Sequence, residues 1–374
     1  MDTMNDKAVA QRNEGLRKRE YGIDLLKIGA MFAIVVEHII HWGGWGLFAQ
    51  PQYAQSAGWP WKTVALEVVE ASLICHVNCF VLASGWIMSR KSFKLSRILR
   101  LWLEVFGYSV AALIVATLFL PEIPLTMKTA MKCLLPLSSN SYWFFTQYCG
   151  LFFLMPALNA AVGNMDLRTL KTVLIAGGIL ASLLPMLVGD IFHVHDGYGI
   201  IWFSYLYMVA ASMARRGLFS QVRVRTALYV ALTCVFATVC GRHIVNAVCI
   251  HAGIASRWRV FCAFNSPLIL VQSVAILAVF KSVRVQSSNL RRTIDFVAPS
   301  VFAVYLIHSN WIFRAATRWN AFWTSALDGS GAIKSLAIVF CGATVVFAAC
   351  LVVDFARRSA KATFSRFCLA RHPR

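Results

Sequence analysis

Residues 21–42 read YGIDLLKIGAMFAIVVEHIIHW. The run has the ~20-residue length that an α-helix needs to cross a bilayer. It is apolar except for Asp24, Lys27, Glu37, His38 and His41. Ionisable side chains in a span cost about 2.5–3.5 kcal/mol each on insertion scales, so they face a protein interior and often mark function. Lys27 and His38 are eleven residues apart, which places them ~20° apart around a helix axis and ~16 Å apart along it. Asp24 and His41 fall near the same stripe. Glu37 adjoins His38 but points ~100° away, so a direct pair between them is not expected. A plainer account is also open. Lys27 can snorkel to lipid head groups with Asp24 as its partner, His41 can face water, and His38 can be a hydrogen-bonded interior histidine.

The remainder of the chain repeats this theme. Of 374 residues, 59% are hydrophobic, 13% aromatic and only 14% charged, and the mean hydropathy is positive. That is a membrane profile. The apolar residues form blocks of spanning length, and backbone in lipid must satisfy its own hydrogen bonds, so the blocks are helices. The ~10-residue alternation of barrel strands is missing. Ten spans are predicted, at 21–42, 64–89, 99–120, 141–162, 169–189, 197–214, 225–242, 260–280, 295–313 and 334–356. Pro51, Pro60, Pro121, Pro124, Gly163, Gly217 and Pro299 bracket several of them. The fold class is therefore all-α, a polytopic transmembrane bundle. A polar tail (1–20) precedes the membrane domain (21–356), and a basic tail (357–374) follows it.

The net charge of +20 does not indicate a nucleic-acid partner, because the basic residues punctuate the apolar blocks. Membrane lipids are the expected contact. With the N-terminus inside, 26 Lys and Arg lie on the cytoplasmic side and 9 outside, and Lys27 within the first span completes the 36. This asymmetry predicts both termini inside. Residues 1–20 are not a signal peptide, so the first block is expected to stay as an anchor. The eleven cysteines are scattered through apolar blocks, so no disulfide framework is expected. Cys75, His76 and Cys79 have no second cluster to complete a metal site, and no metal is expected.

The second span carries Glu67, Glu70, His76, Asn78 and Ser84, and a cytoplasmic run with Arg97 and Arg100 on one face follows it. That pair can grip phosphates, although positive-inside topology accounts for most of the run. At this point the chain resembles the acyltransferase-3 family of integral membrane acyltransferases, in particular members that O-acetylate exported polysaccharides. Five segments carry the resemblance, in order: Ile23 to Lys27 leading to Glu37–His41; Asn78 to Trp86, similar to a Phe-Phe-x-x-Ser-Gly-Tyr pattern; Arg97 and Arg100, an Arg-x-x-Arg element; Tyr142-Trp143-Phe144 through Pro156 and Asn159; and Val304-Tyr305-Leu306-Ile307-His308. They span roughly residues 20–315. Lys27 stands where arginine is commoner, Ala83 and Trp86 depart from the usual neighbours of Ser84-Gly85, and His76 stands where many relatives carry a basic side chain.

The resemblance implies transfer of an acyl group, acetyl above all, from cytoplasmic acyl-CoA to a hydroxyl of an extracytoplasmic or lipid-linked glycan at the cell membrane. Acetyl-CoA is then the co-substrate. Lys27, Arg97 and Arg100 would hold its phosphates, and His38 would act as general base or transient acyl carrier. Glu37 and His308 would assist at the catalytic centre, and Asn78, Tyr142 and Trp143 would position substrate. Trp143 also fits an interfacial aromatic belt. The rival from another class is a transporter of a lipid-linked sugar or small organic acid, and a sensor without turnover is a third reading. Paired Gly- or Pro-broken segments in two related halves would favour transport, and none are found.

Overall fold

A computed structural model describes residues 19–47, 61–120, 126–312 and 317–371, and these are helical with no strand among them. The elements are α1 (Tyr21–Trp42), α2 (Trp61–Leu73), α3 (His76–Met88), α4 (Leu95–Phe119), α5 (Met127–Leu134), α6 (Trp143–Asn164) and α7 (Leu167–Gly178). A π-helical turn (Ile179–Leu183) joins α7 to α8 (Leu184–Val188). There follow α9 (Ile200–Arg216), α10 (Val224–His251), α11 (Pro267–Phe280), α12 (Ser288–Val297), α13 (Val301–His308), α14 (Thr317–Asp328) and α15 (Ala332–Arg371).

Six stretches among the described residues are long and apolar enough to cross a membrane: Trp61–Met88, Leu95–Phe119, Trp143–Asn164, Leu167–Val188, Val224–His251 and Ala332–Thr363. Each coincides with an expected span. The second runs through α2 and α3 with a turn at residues 74–75. Of the other four, α1 is one 22-residue helix, whereas α9 has 17 residues and α11 has 14. The stretch expected at 295–313 is broken at Pro299 into α12, a 3-10 turn and α13. Proline lacks the N–H that would continue the ladder, which explains the break.

The exterior is apolar. Phe236 is 70% exposed and Val345 68%, which in water would be an aggregation liability and in lipid is ordinary solvation. Polar groups are turned inward instead: Glu67, Glu70, Arg242 and Asp354 are buried, as intramembrane charges should be. Asp354 of α15 accepts from Ser300 Oγ (2.6 Å) and Tyr108 Oη (2.8 Å) and pairs with Arg357 and Arg358.

Two boundaries differ from expectation. The basic tail has no structural start at residue 357, because α15 runs unbroken through Arg371, held there by the Arg357–Glu104 and Arg357–Asp354 pairs. And α10 continues past residue 242 to His251. Arg242, one of the nine basic residues that the charge count above places outside, is instead buried and paired with Glu67. Of the expected N-terminal tail, only Arg19 and Glu20 are described; residues 1–18, Arg314, Arg374 and the bracketing prolines 51, 60, 121 and 124 lie outside the described residues.

The site is placed by α1, which packs against α2, α3, α11, α13 and α15. Val35, Val36, Ile39 and Ile40 are fully buried, so α1 is an interior helix and its polar stripe faces protein. Gly85 sets the neighbouring wall. A Cβ there would sit 2.8 Å from the carbonyl oxygen of Tyr207, so the glycine lets α3 lie directly against α9. This is the physical content of the Ser84-Gly85 element: the glycine brings α3 in, and Ser84 faces a cavity.

Candidate active site

The stripe read from α1 lines one cavity of about 310 Å³, at the lower end of small-molecule pockets. Lys27, Met31, Ile34 and His38 follow one another along its wall, at the spacing that keeps residues on one helix face. Opposite stand His76, Phe80 and Ser84 of α3, Trp143, Phe144 and Tyr148 of α6, and Phe302 and Tyr305 of α13. The cavity therefore runs along α1, with an ammonium near one end and an imidazole near the other, roughly 16 Å away by helical rise.

At the imidazole end, two histidines from distant parts of the chain meet. His308 Nδ1 lies 2.6 Å from the carbonyl oxygen of Val304, one turn back on α13. A carbonyl can only accept, so this nitrogen carries the proton. A neutral His308 is then an acceptor at Nε2, and His38 Nδ1, 3.1 Å away, donates to it. Ser309 Oγ lies 3.1 Å from the same Nε2 and shares its single lone pair with His38 Nδ1–H. In neutral His38 this leaves the lone pair on Nε2. The ordering is that of a general base whose tautomer is fixed by a second group. Glu37 Oε2 lies 3.9 Å from His38 Nε2 and 3.4 Å from His76 Nε2. The carboxylate thus sits nearer to His76 than to its chain neighbour, and at this distance from Nε2 it stabilises an imidazolium formed there.

His308 is accordingly placed to orient the His38 ring. If His38 is a general base, His308→Ala is expected to lower the maximal turnover rate on the order of 10²-fold, as loss of an orienting partner does elsewhere, with half-saturation by substrate unchanged. Initial rates against substrate concentration check this. An unchanged maximal rate would remove His308 from the site.

The remaining expected site residues divide. Trp143 lines the cavity, stacked near-parallel to Phe264 (15° between planes) and 4.6 Å from the Tyr198 ring. Asn78 and Tyr142 do not line it. Asn78 donates to the carbonyl of Phe264 (2.8 Å) and accepts from Trp202 Nε1 (3.0 Å). Tyr142 Oη donates to the carbonyl of Leu306 (3.0 Å) and accepts from Asn310 Nδ2 (2.7 Å). Both polar side chains hold helices together, so the structure gives them a positioning place behind the wall. Asn159, the end of the Tyr-Trp-Phe block, likewise accepts from Tyr207 Oη and ties α6 to α9.

Arg97 and Arg100 do not line the cavity either. They stand on the first turns of α4, with Arg97 half-buried, hydrogen-bonded to the Ser92 carbonyl and within electrostatic reach of Tyr148. Arg100 is exposed. Lys27 is close to Asp24 (3.9 Å), but the nearer partner of Asp24 is Arg19 at 2.6 Å. Sequence reasoning did not reach Tyr198, Phe264 or Ser309. The first two are aromatics indistinguishable by type from an interfacial belt, and Ser309 gains meaning only from His308 beside it. Among the described residues, no three His, Cys, Asp or Glu side chains converge as metal ligands would.

An apolar-surfaced helical bundle with its charged groups turned inward is a multi-pass membrane protein. Comparison with known proteins supplies the family. The acyltransferase-3 model, described as an acyltransferase domain, matches residues 20–355. The chain belongs to the acyltransferase-3 family and is a membrane acyltransferase. No curated protein and no solved structure matches it.

Proposed function

We propose that the protein transfers an acyl group, acetyl above all, from acyl-CoA at the cytoplasmic face to a hydroxyl of an extracytoplasmic or lipid-linked glycan. In this reading the chain spans the cell membrane ten times with both termini inside. The observation that carries it is the His38–His308 hydrogen bond at the end of a cavity whose other end holds Lys27. Lys27 grips a CoA phosphate at the mouth, and Arg97 and Arg100 on the first turns of α4, whose Leu101 lines the cavity, add positive charge for the remaining phosphates. The pantetheine arm lies along the α1 stripe and carries the thioester to His38.

The chemistry then balances on one imidazole. His38 Nε2 takes the proton of the acceptor hydroxyl as its oxygen attacks the thioester carbonyl carbon. The tetrahedral intermediate collapses with cleavage of the C–S bond, and the imidazolium returns the proton to the CoA thiolate. Glu37 holds the imidazolium charge while it exists, and His308 holds the ring in place. The orienting hydrogen bond favours this base role over a transient acyl-histidine, because a base needs its lone pair fixed towards the hydroxyl. Trp143 presents an aromatic face at the same end for a sugar ring.

Lys27→Ala tests the donor grip. It is expected to raise the acyl-CoA concentration for half-saturation about 10–100-fold, the range for a charge-assisted hydrogen bond, with little change in maximal rate. Initial rates of CoA release in membrane vesicles measure it. Unchanged half-saturation would place the donor elsewhere.

A further inference from the structure

A second, smaller cavity of about 110 Å³ lies behind the Tyr198–Phe264 wall of the first. The chain weaves between the two: Tyr198 and Phe264 line the His38 cavity, whereas Asp196 and Asn265 line the smaller one. Gly197 sits against the wall, where a Cβ would come within 2.7 Å of Phe264 Cβ. The cavity lies where α8 ends and α9 begins, the end of the bundle away from Arg97 and Arg100.

Its lining is mixed: Ser182, Asp190, Asp196, Arg257, Asn265 and Ser266 supply polar groups beside apolar residues such as Met186 and Val260. Most of these are held by the protein. Asp190 accepts from the backbone N–H groups of Val194 and His195, both at 2.6 Å, and Arg257 donates to the Leu187 carbonyl at 2.8 Å. Asn265 donates to the Ala181 carbonyl at 2.9 Å, fixing the π-helical turn that carries Ser182. Ser182 and Ser266, by contrast, are each 2% exposed, and neither hydroxyl has a hydrogen-bond partner. Ser266 stands at the N-terminus of α11 without capping it. Buried hydroxyls are rarely left unpaired, so two at one cavity point to a ligand that pairs them. The π turn belongs to the same argument, since such turns concentrate at functional sites. So does the backbone of His195 and Asp196, held at φ of 53° and 54°.

We propose that this cavity is the acceptor subsite, taking the hydroxyl-bearing edge of the saccharide unit next to the one acylated at His38. The inference rests on the acyl-transfer reading above and adds where the acceptor is held. At ~30 Å³ per water equivalent the space holds the polar edge of a pyranose and not the whole ring. Ser182 and Ser266 pair its hydroxyls, Asp196 accepts from a third, and the Trp143–Tyr198–Phe264 aromatics carry the neighbouring ring into the His38 cavity. Tyr198, 40% exposed, packs on both Trp143 and Phe264 in the wall between the two cavities.

The test uses the full chain in proteoliposomes and reads CoA release from acetyl-CoA, alone and with methyl glycosides of the disaccharides cellobiose, lactose and chitobiose, each of which supplies both an acylated unit and its neighbour. At least one glycoside is expected to accelerate release above the rate to water. In Ser182→Ala/Ser266→Ala the concentration of that glycoside for half-maximal acceleration should rise ~10-fold or more. Half-saturation by acetyl-CoA, the rate to water and thermal stability should stay unchanged, because the lost hydroxyls bonded nothing. Asp196→Asn, an exposed position, gives the same reading if the double variant fails to fold. Wild-type glycoside dependence in the variants would mean that the cavity holds water only and would overturn the proposal. So would failure of every glycoside to accelerate a wild-type enzyme that hydrolyses acetyl-CoA. A wild type that releases no CoA at all contradicts the acyl-transfer reading instead.

Discussion

His38→Gln is expected to retain the fold and lose acyl transfer on the order of 10³-fold, within the 10²–10⁴ range for general-base catalysis. That corresponds to about 4 kcal/mol of transition-state stabilisation. Glutamine separates chemistry from packing. Its side-chain amide can donate to His308 Nε2 as His38 Nδ1 does now, but no group on it can take a proton. The loss should fall on the maximal rate and leave acyl-CoA half-saturation unchanged, because in the proposed reaction the donor is held by Lys27 at the opposite end of the cavity. Initial rates of CoA release in vesicles separate the two quantities. A Gln variant that turns over at the wild-type rate would rule out the base role.

Glu67→Leu is expected to destabilise the protein by about 3–5 kcal/mol, the range for breaking a buried ion pair from one side. Glu67 bridges α2 to α10, pairing with Arg242 Nη1 and with His243 Nε2 (2.6 Å). All three side chains are buried, and the Arg242 guanidinium also lies over the Trp258 ring at 4.6 Å. Leucine fills similar volume but removes the carboxylate that pairs with both Arg242 and His243. Thermal unfolding in detergent should show a large fall in midpoint for Glu67→Leu. The paired replacement Glu67→Leu/Arg242→Met should recover much of it, because the buried charge that lost its Glu67 partner is then gone. Equal losses in the two variants would mean that packing, and not the charge, decides stability here.

The sequence made the axis of the site legible because helical phase is local. Three turns of α-helix nearly close on eleven residues, so Lys27 and His38 share a face whatever surrounds them, and the cavity runs along that face. The all-helical class followed from the same kind of local accounting. Partners across the bundle were not legible. Nothing near Arg242 in the chain announces Glu67, 175 residues earlier, so a polar Gly241-Arg242-His243 passage reads as a helix end when it is the middle of a buried junction. Asn78 and Tyr142 show the converse. Their type and position suit substrate contact, but Trp202, Phe264, Leu306 and Asn310 consume their hydrogen bonds from elsewhere in the chain. His308 was reached through the Val-Tyr-Leu-Ile-His block, and only the fold shows that its ring meets His38.

In the proposed reaction acyl groups leave CoA on one side of this bundle and reach a glycan through the His38 cavity. Acetyl-CoA labelled in the acetyl group, presented to sealed inverted vesicles carrying the intact chain and the glycan of the producing cell, tests this. Label is expected in the lumenal glycan fraction, with one equivalent of free CoA thiol outside for each acetyl transferred. Specific uptake or binding of a saccharide with no CoA released and no label on glycan would contradict it and make the protein a transporter or sensor.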